Sequence, residues 1–432
     1  MSNNVEEQKK AISKDRVRFG LGTILYQSEE GGFINGPVPT AIIRFLGGDD
    51  RHLGMISSFV TLGGASRILA NSILKWKNSN RRAMVFTMYM GAVITGLIAL
   101  LLITGLKPEI RPFVLTAYLV LNFLFVSMTG LQGVIDMNWV GDLVPLDIRG
   151  WFTKIKWVLS VIGGIFFTIL ISRYAQSFPT LIGYASIYVL FCVSLLIAGL
   201  IIYPKATDRT PQSANFVKSD VGGKERINYK IPALWLNFIF SLLWMPARTI
   251  TGAFVPIYLM HQFNYSLTSI ALLLSLQGVI SIFVILFIGD RMDRWGAWKP
   301  MLAVTMLIAC SMSLWFFSAW LGIGCAVVYM IVNGAAGSTL SMLGGNFQLE
   351  IYPEKGRAAY MGFFSILTIP FTFLATFSSG YLVHHLGEIH YSFMGAVLTR
   401  YHFVFLGTTI LGLLSTVPLF LVGNPRKRRI ER

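Results

Sequence analysis

The sequence predicts an all-α integral membrane protein of twelve transmembrane helices, arranged as two six-helix halves related by pseudo-symmetry. Three observations carry this. Hydrophobic residues fill 54% of the 432 positions and charged residues only 13%, against about 25% charged in ordinary globular domains. Apolar runs of about 20 residues, long enough to cross hydrocarbon as a helix, recur along the whole chain. The polar turns between them repeat one another in motif and spacing. Other classes of function fall away on the same evidence. The net charge of +16 sits mainly in turns between apolar runs, where it sets topology rather than binding nucleic acid. Cys192, Cys310 and Cys325 lie inside apolar runs, which argues against a disulfide framework or a zinc site. With no nucleotide-binding loop, nucleophile elbow or metal-ligand spacing, the chain reads as no enzyme, with no cofactor and no bound metal.

Taken in order, residues 1–18 are polar and basic and read as a cytoplasmic tail rather than a cleavable signal peptide. The first half, 19–203, opens with segment 1 at about 21–45. Its middle carries Glu29 and Glu30 at membrane depth among glycines and prolines, which weaken a helix. Segment 2, about 53–74, contains Arg67. Segments 3 to 6 follow at about 84–104, 112–134, 157–172 and 181–203. Residues 204–230 form a long polar central loop. The second half, 231–422, holds segments at about 231–259, 266–288, 301–319, 321–343, 360–383 and 403–422, and 423–432 is a basic tail. Most of the 36 Lys and Arg fall in the two tails and the even-numbered turns. The odd-numbered turns hold few, Arg51, Lys107, Arg111 and Arg400 among them. Both termini are therefore expected in the cytoplasm.

The turns carry the repeat. Between segments 8 and 9 stands GDRMDRWGAWKP, with Gly289, Asp293, Arg294, Gly296 and Lys299 spaced as G-x-x-x-D-R-x-G-x-x-K. A charged, glycine-bearing turn between two spans must lie at a bilayer surface. The turn after segment 4 places Asp142, Pro145 and Arg149 at the same spacing as Glu350, Pro353 and Arg357 after segment 10. Segments 1 and 7 also align, Pro39 with Pro256 and Gly54 with Ala271. Two such halves are a known transporter architecture with a site near mid-membrane.

On these turns the chain resembles the major facilitator superfamily over nearly its whole length. The resemblance implies the major facilitator fold, alternating access, a bacterial cytoplasmic (inner) membrane and a monomer. It also implies that Asp142, Arg149, Gly289, Asp293, Arg294, Glu350 and Arg357 form a cytoplasmic gate, ordinary loop capping being the alternative. Two departures stand out. In the first-half counterpart, NSILKWKNSNRR, Lys75 replaces the acid, so the intact latch lies around Asp293. Segment 5 lacks the glycine-proline signature of drug–proton antiporters.

Charges within spans are costly, about 2.5–3.5 kcal/mol each on insertion scales, and need a partner, a wet cavity or a function. Helical rise places Arg67 and Asp136 about 12–14 Å inside the cytoplasmic surface and Glu29 and Glu30 about 17 Å deep. One of Glu29, Glu30 or Asp136 is a candidate proton carrier with Arg67 as its switchable partner, because a carboxylate that loses its cation in low dielectric takes up a proton. A fixed ion pair orienting segments 1, 2 and 4, or direct substrate contact, would use the same residues. Arg248 lies at nearly the depth of Glu30 in the other half. It suits a carboxylate or phosphate on a substrate, or an ion pair with Glu29 or Glu30. Gln27, Asn35, Gln132, Asn138, Trp244, Gln277 and Asn333 could line a polar cavity or join helices by hydrogen bonds. All six histidines fall on the predicted outer side and are expected to be solvated. The expected function is secondary active transport of a small polar or anionic solute, coupled to protons. Efflux of amphipathic compounds and a non-transporting sensor or assembly factor are the alternatives.

Overall fold

The computed structural model describes residues 17–22, 24–27, 37–143, 146–202, 230–288, 297–352, 357–387 and 390–423, and the statements below concern these. The chain divides into two compact units, Met1–Gly47 with Leu62–Lys224, and Gly48–Thr61 with Glu225–Arg432.

Segment 1 is helical at 17–22 and 24–27 and ends in α1 (Val38–Phe45). Segment 2, expected as one helix, is three pieces: α2 (Asp50–Gly63), a 3-10 stretch (Gly64–Leu69) and α3 (Ala70–Lys77). The break falls at the Gly63-Gly64 pair, where no side chain supports the helix. There Ser66 Oγ lies 2.6 Å from both the Gly63 and Ser127 carbonyls and tightens the turn. Asn78, in the left-handed conformation at φ 50°, ends α3. Ser79 then caps α4 (Asn80–Thr104), its hydroxyl accepting the Arg82 amide at 3.3 Å.

Helices α5 (Arg111–Leu143), α6 (Leu146–Ser177) and α7 (Leu181–Ile202) complete the first unit. Its core lies where α4 meets α5 and α7, around Met84, Met88, Ala92, Phe125, Phe191 and Leu195.

The second unit contains α8 (Pro232–Gln262), α9 (Leu267–Ile288), α10 (Trp298–Leu321), α11 (Gly324–Ile351), α12 (Arg357–His385) and α13 (Arg400–Val422). Here α10 packs on α11 and α13, as α4 packs on α5 and α7 in the first unit. The early turns of α2 also belong to this unit. They meet α12 at Gly54 and Gly380, where a Cβ on Gly54 would lie 2.8 Å from the Gly380 Cα. Only a glycine pair allows two backbones so close.

Between α12 and α13 runs a hairpin, β1 (His390–Phe393) and β2 (Ala396–Thr399), paired antiparallel. Met394 and Gly395 both have positive φ, 48° and 80°, as a two-residue hairpin turn requires. Hydropathy gave no sign of this sheet. His402, expected to be solvated with the other histidines, is fully buried beside it. The reason is its two contacts: Nδ1 takes part in the Thr399 capping box of α13, and Nε2 lies 2.9 Å from the Tyr258 hydroxyl.

Among the described residues nine helices are long and apolar enough to cross a membrane. Their outward faces carry large apolar side chains such as Leu100, Phe113, Phe166 and Phe287, which a bilayer would cover. The protein is a predominantly helical, multi-pass integral membrane protein.

Candidate functional site

In the first unit, the charged centre is an ion pair between Asp136 on α5 and Lys156 on α6. Its side chains are only 8% and 4% exposed, so the pair is shielded from water and screened little by salt. Lys156 Nζ sits 5.5 Å from the centroid of the Phe19 ring. Phe19 in turn packs against Trp139 and Phe152, with ring centroids 4.5 and 6.3 Å away. One turn further along α6, Ser160 donates to Gln27 Oε1 at 2.9 Å, joining segment 1 to the same face. Asp136 Oδ1 and, one turn earlier on α5, Gln132 Oε1 are buried without hydrogen-bond partners. The centre therefore holds a balanced charge pair and two idle acceptors, enough to take a proton or a donor from a small solute.

The structure brings together Gln27, Gln132 and Asp136 from the sequence candidates and adds Lys156. Helix α6 starts at Leu146, not near Trp157, so Lys156 lies inside the helix rather than in the turn before it. The signal available in the sequence was a lysine preceding an apolar run by one residue. Arg67 is not the partner of Asp136: it is exposed on the 3-10 stretch. Glu29, Glu30 and Asn35 lie outside the described residues.

In the second unit, Arg248 sits half-buried on α8, one turn after the buried Trp244. It reaches towards Asn333 and Gly337 on α11. Gln277 on α9 meets α11 through its backbone: a Cβ on Gly334 would lie 2.6 Å from the Gln277 carbonyl. That side of Gln277 is thus a helix contact, while Asn333 is 7% exposed with Oδ1 unpaired.

Of the gate candidates, Gly289, Asp293 and Arg294 lie outside the described residues. Asp142 and Arg149 fall on the backbone of α5 and α6, and Arg357 starts α12; their side chains are also outside the described set. Glu350 is at the end of α11.

A further charged cluster, which sequence reasoning missed, lies at the hairpin end of the second unit. Asp50, on the first turn of α2, is 3% exposed and pairs with Arg400 of α13 at 2.9 Å. Its neighbour Asp49 receives Arg51 at 2.6 Å, His52 at 2.8 Å and His384 of α12 at 3.4 Å. Partial burial works against the Asp49 charge. The hydrogen bonds and positive charges of Arg51 and His52 outweigh it and hold the carboxyl well below the usual carboxylate range. The sequence shows these acids only as part of an ordinary polar turn.

The sequence profile of the Major Facilitator Superfamily matches residues 156–343 and 236–432. The chain belongs to that family of membrane transporters; it is not an enzyme. A search of curated proteins finds no match in sequence. Solved structures similar to it include a point mutant of the nucleoside transporter NupG, at 17% identity and a TM-score of 0.69, covering 95% of this chain and all of that one. The inward-open xylose transporter XylE from E. coli is similar at 12% identity and a TM-score of 0.68, over 95% of this chain and 96% of that one. A D-xylose-proton symporter matches at 14% identity and a TM-score of 0.69, over 94% and 97%.

Proposed function

We propose that this protein is a secondary active transporter that moves a small polar or anionic solute by alternating access, coupled to protons. The buried Asp136–Lys156 pair carries the reading. A transporter that exchanges protons needs a carboxylate whose charge is conditional, and a shielded pair on two helices is one: a sub-ångström shift of α6 against α5 changes the field on Asp136. With Lys156 close, the carboxylate stays ionised; with Lys156 withdrawn, it takes up a proton from whichever side is open. Lys156 fills the role that the sequence assigned to Arg67. The similar folds of a nucleoside transporter and a D-xylose-proton symporter support a solute of that size and a proton as its partner.

In this reading the protein works as a monomer in a bacterial inner membrane with both termini in the cytoplasm. Its halves are 19–203 and 231–422, with the central loop 204–230 as the boundary between them. The charges at Asp142, Arg149, Asp293, Arg294, Glu350 and Arg357, with Gly289, close the inner gate. The test is proteoliposome transport with a trapped pH dye, scanning sugars, nucleosides and organic acids. The native protein is expected to acidify or alkalinise the lumen with a transported solute, and Asp136→Asn to move solute without protons. Proton flux that survives Asp136→Asn unchanged would overturn the coupling role.

A further inference from the structure

Arg248 stands in the middle of the 31-residue helix α8 without an ion pair or hydrogen bond to any described residue. A guanidinium never loses its proton in a protein, and one that lies within a membrane span requires a counter-charge, a cavity or a ligand. It comes up to α11 at Gly337. A Cβ at Gly337 would lie 3.8 Å from Arg248 Nη2 and 3.4 Å from Asn333 Oδ1. One turn on from Arg248, nothing lies within 4 Å of where a Gly252 Cβ would be, so the helix is open beside the guanidinium's base. Asn333 is 7% exposed, yet its Oδ1 has no donor. Tyr329, another turn back on α11, is within electrostatic reach of Arg248. Tyr329, Asn333 and Gly337 share one face of α11 at four-residue spacing.

We infer that the Arg248–Asn333–Gly337 cradle of the second unit binds a small hydroxylated monocarboxylate. Arg248 takes the carboxylate and Asn333 Oδ1 accepts a hydrogen bond from a nearby hydroxyl. Charge counting selects the carboxylate. A single guanidinium balances one negative charge, whereas a phosphate monoester near its second ionisation brings up to two and would leave an excess in a weakly screened site. The planar fork of arginine also matches a carboxylate through two parallel hydrogen bonds. A neutral sugar would satisfy Asn333 and leave the guanidinium unpaired. A fatty acid would do the reverse. Only a ligand with both groups satisfies the cradle, because an unmade buried hydrogen bond is paid for in affinity.

This assignment rests on the transport reading for its role in the cell, and its test is separable. Purified full-length protein would be titrated with D-gluconate, with sorbitol (the hydroxyls without the carboxylate) and with hexanoate (the carboxylate without the hydroxyls), at constant ionic strength. D-glucuronate and D-glucose form a second pair. Binding is read by calorimetry and by thermal shift. At least one hydroxylated acid is expected to bind at least tenfold more tightly than its neutral partner and than hexanoate. Arg248→Gln should weaken it roughly tenfold to a hundredfold, as loss of a charged hydrogen bond does. Arg248→Lys, which keeps the charge and loses the fork, should fall between and controls for folding. Asn333→Ala should bring the hydroxylated acid close to hexanoate. Equal binding of sorbitol or glucose, absence of binding by both acids, or acid binding untouched by Arg248→Gln would overturn the inference. Neutral solutes that cross proteoliposomes would then leave the transport reading standing. An acid that binds through Arg248 while no solute crosses would overturn transport and leave the site.

Discussion

Replacing Lys156 with methionine would strand the Asp136 carboxylate between α5 and α6. Methionine keeps the length and apolar stem of lysine, so the perturbation is the loss of one positive charge. The pair is 8% and 4% exposed, which puts it among buried ion pairs, where removing one partner costs about 3–5 kcal/mol. An exposed pair would cost about 1 kcal/mol or less. Asp136 Oδ1 already lacks a partner, and among the described residues no second cation is paired with the carboxylate. For a unit of about 200 residues the expected drop in melting temperature is roughly 6–20 °C. The double variant Lys156→Met with Asp136→Leu removes both charges and should recover most of the loss, since an apolar replacement of a buried pair is often neutral. The single variant should also suffer less at about pH 5 than at about pH 8, because a stranded carboxylate can escape its charge by protonation. The assay is thermal unfolding of detergent-purified protein, with elution as a single species as the control for folding. A Lys156→Met protein as stable as the native one would refute the reasoning. So would a double variant worse than the single, since then the side chains matter by shape and not by charge.

Two further outcomes are expected. Gly54→Ala should cost about 1–3 kcal/mol as an overpacked contact, because the new methyl would meet Gly380 Cα at 2.8 Å; a melting temperature equal to the native value would contradict the close crossing of α2 and α12. Asp49, whose carboxyl is held below the usual range by Arg51 and His52, stabilises the folded state above its unfolded value near 4. That contribution is lost as pH falls through the lower folded value. Asp49→Asn should therefore lower stability at neutral pH and flatten the acid limb of a stability–pH curve, and a curve parallel to the native one would remove Asp49 from that role.

Much of this protein is legible in its sequence because a bilayer leaves few choices. Hydrocarbon admits only helices here, so composition and the length of apolar runs were enough for the class. The spacing of charged turns pointed to the family. Individual candidates such as Asp136 and Arg248 could be found for the same reason: a charge in an apolar run stands out. Partners could not be found this way. Lys156 escaped because the start of α6 is set by a backbone that continues helical well before the apolar run begins. His402 escaped because hydropathy sees a polar residue at a span end, and not the Thr399 cap and Tyr258 hydroxyl that receive it.

By itself the sequence determined that the chain is a multi-pass helical transporter of the major facilitator type, and it marked out which charged residues fall inside apolar runs. Tertiary structure alone decided the neighbours: Asp136 paired with Lys156, Asp50 paired with Arg400, and Arg248 and Asn333 both close to Gly337. The physical reason is one of range. Hydrophobic burial acts through the average composition of a segment, and that can be read along the chain. An ion pair or an unmade hydrogen bond depends on a few ångströms between residues far apart in sequence, and only packed helices set that distance.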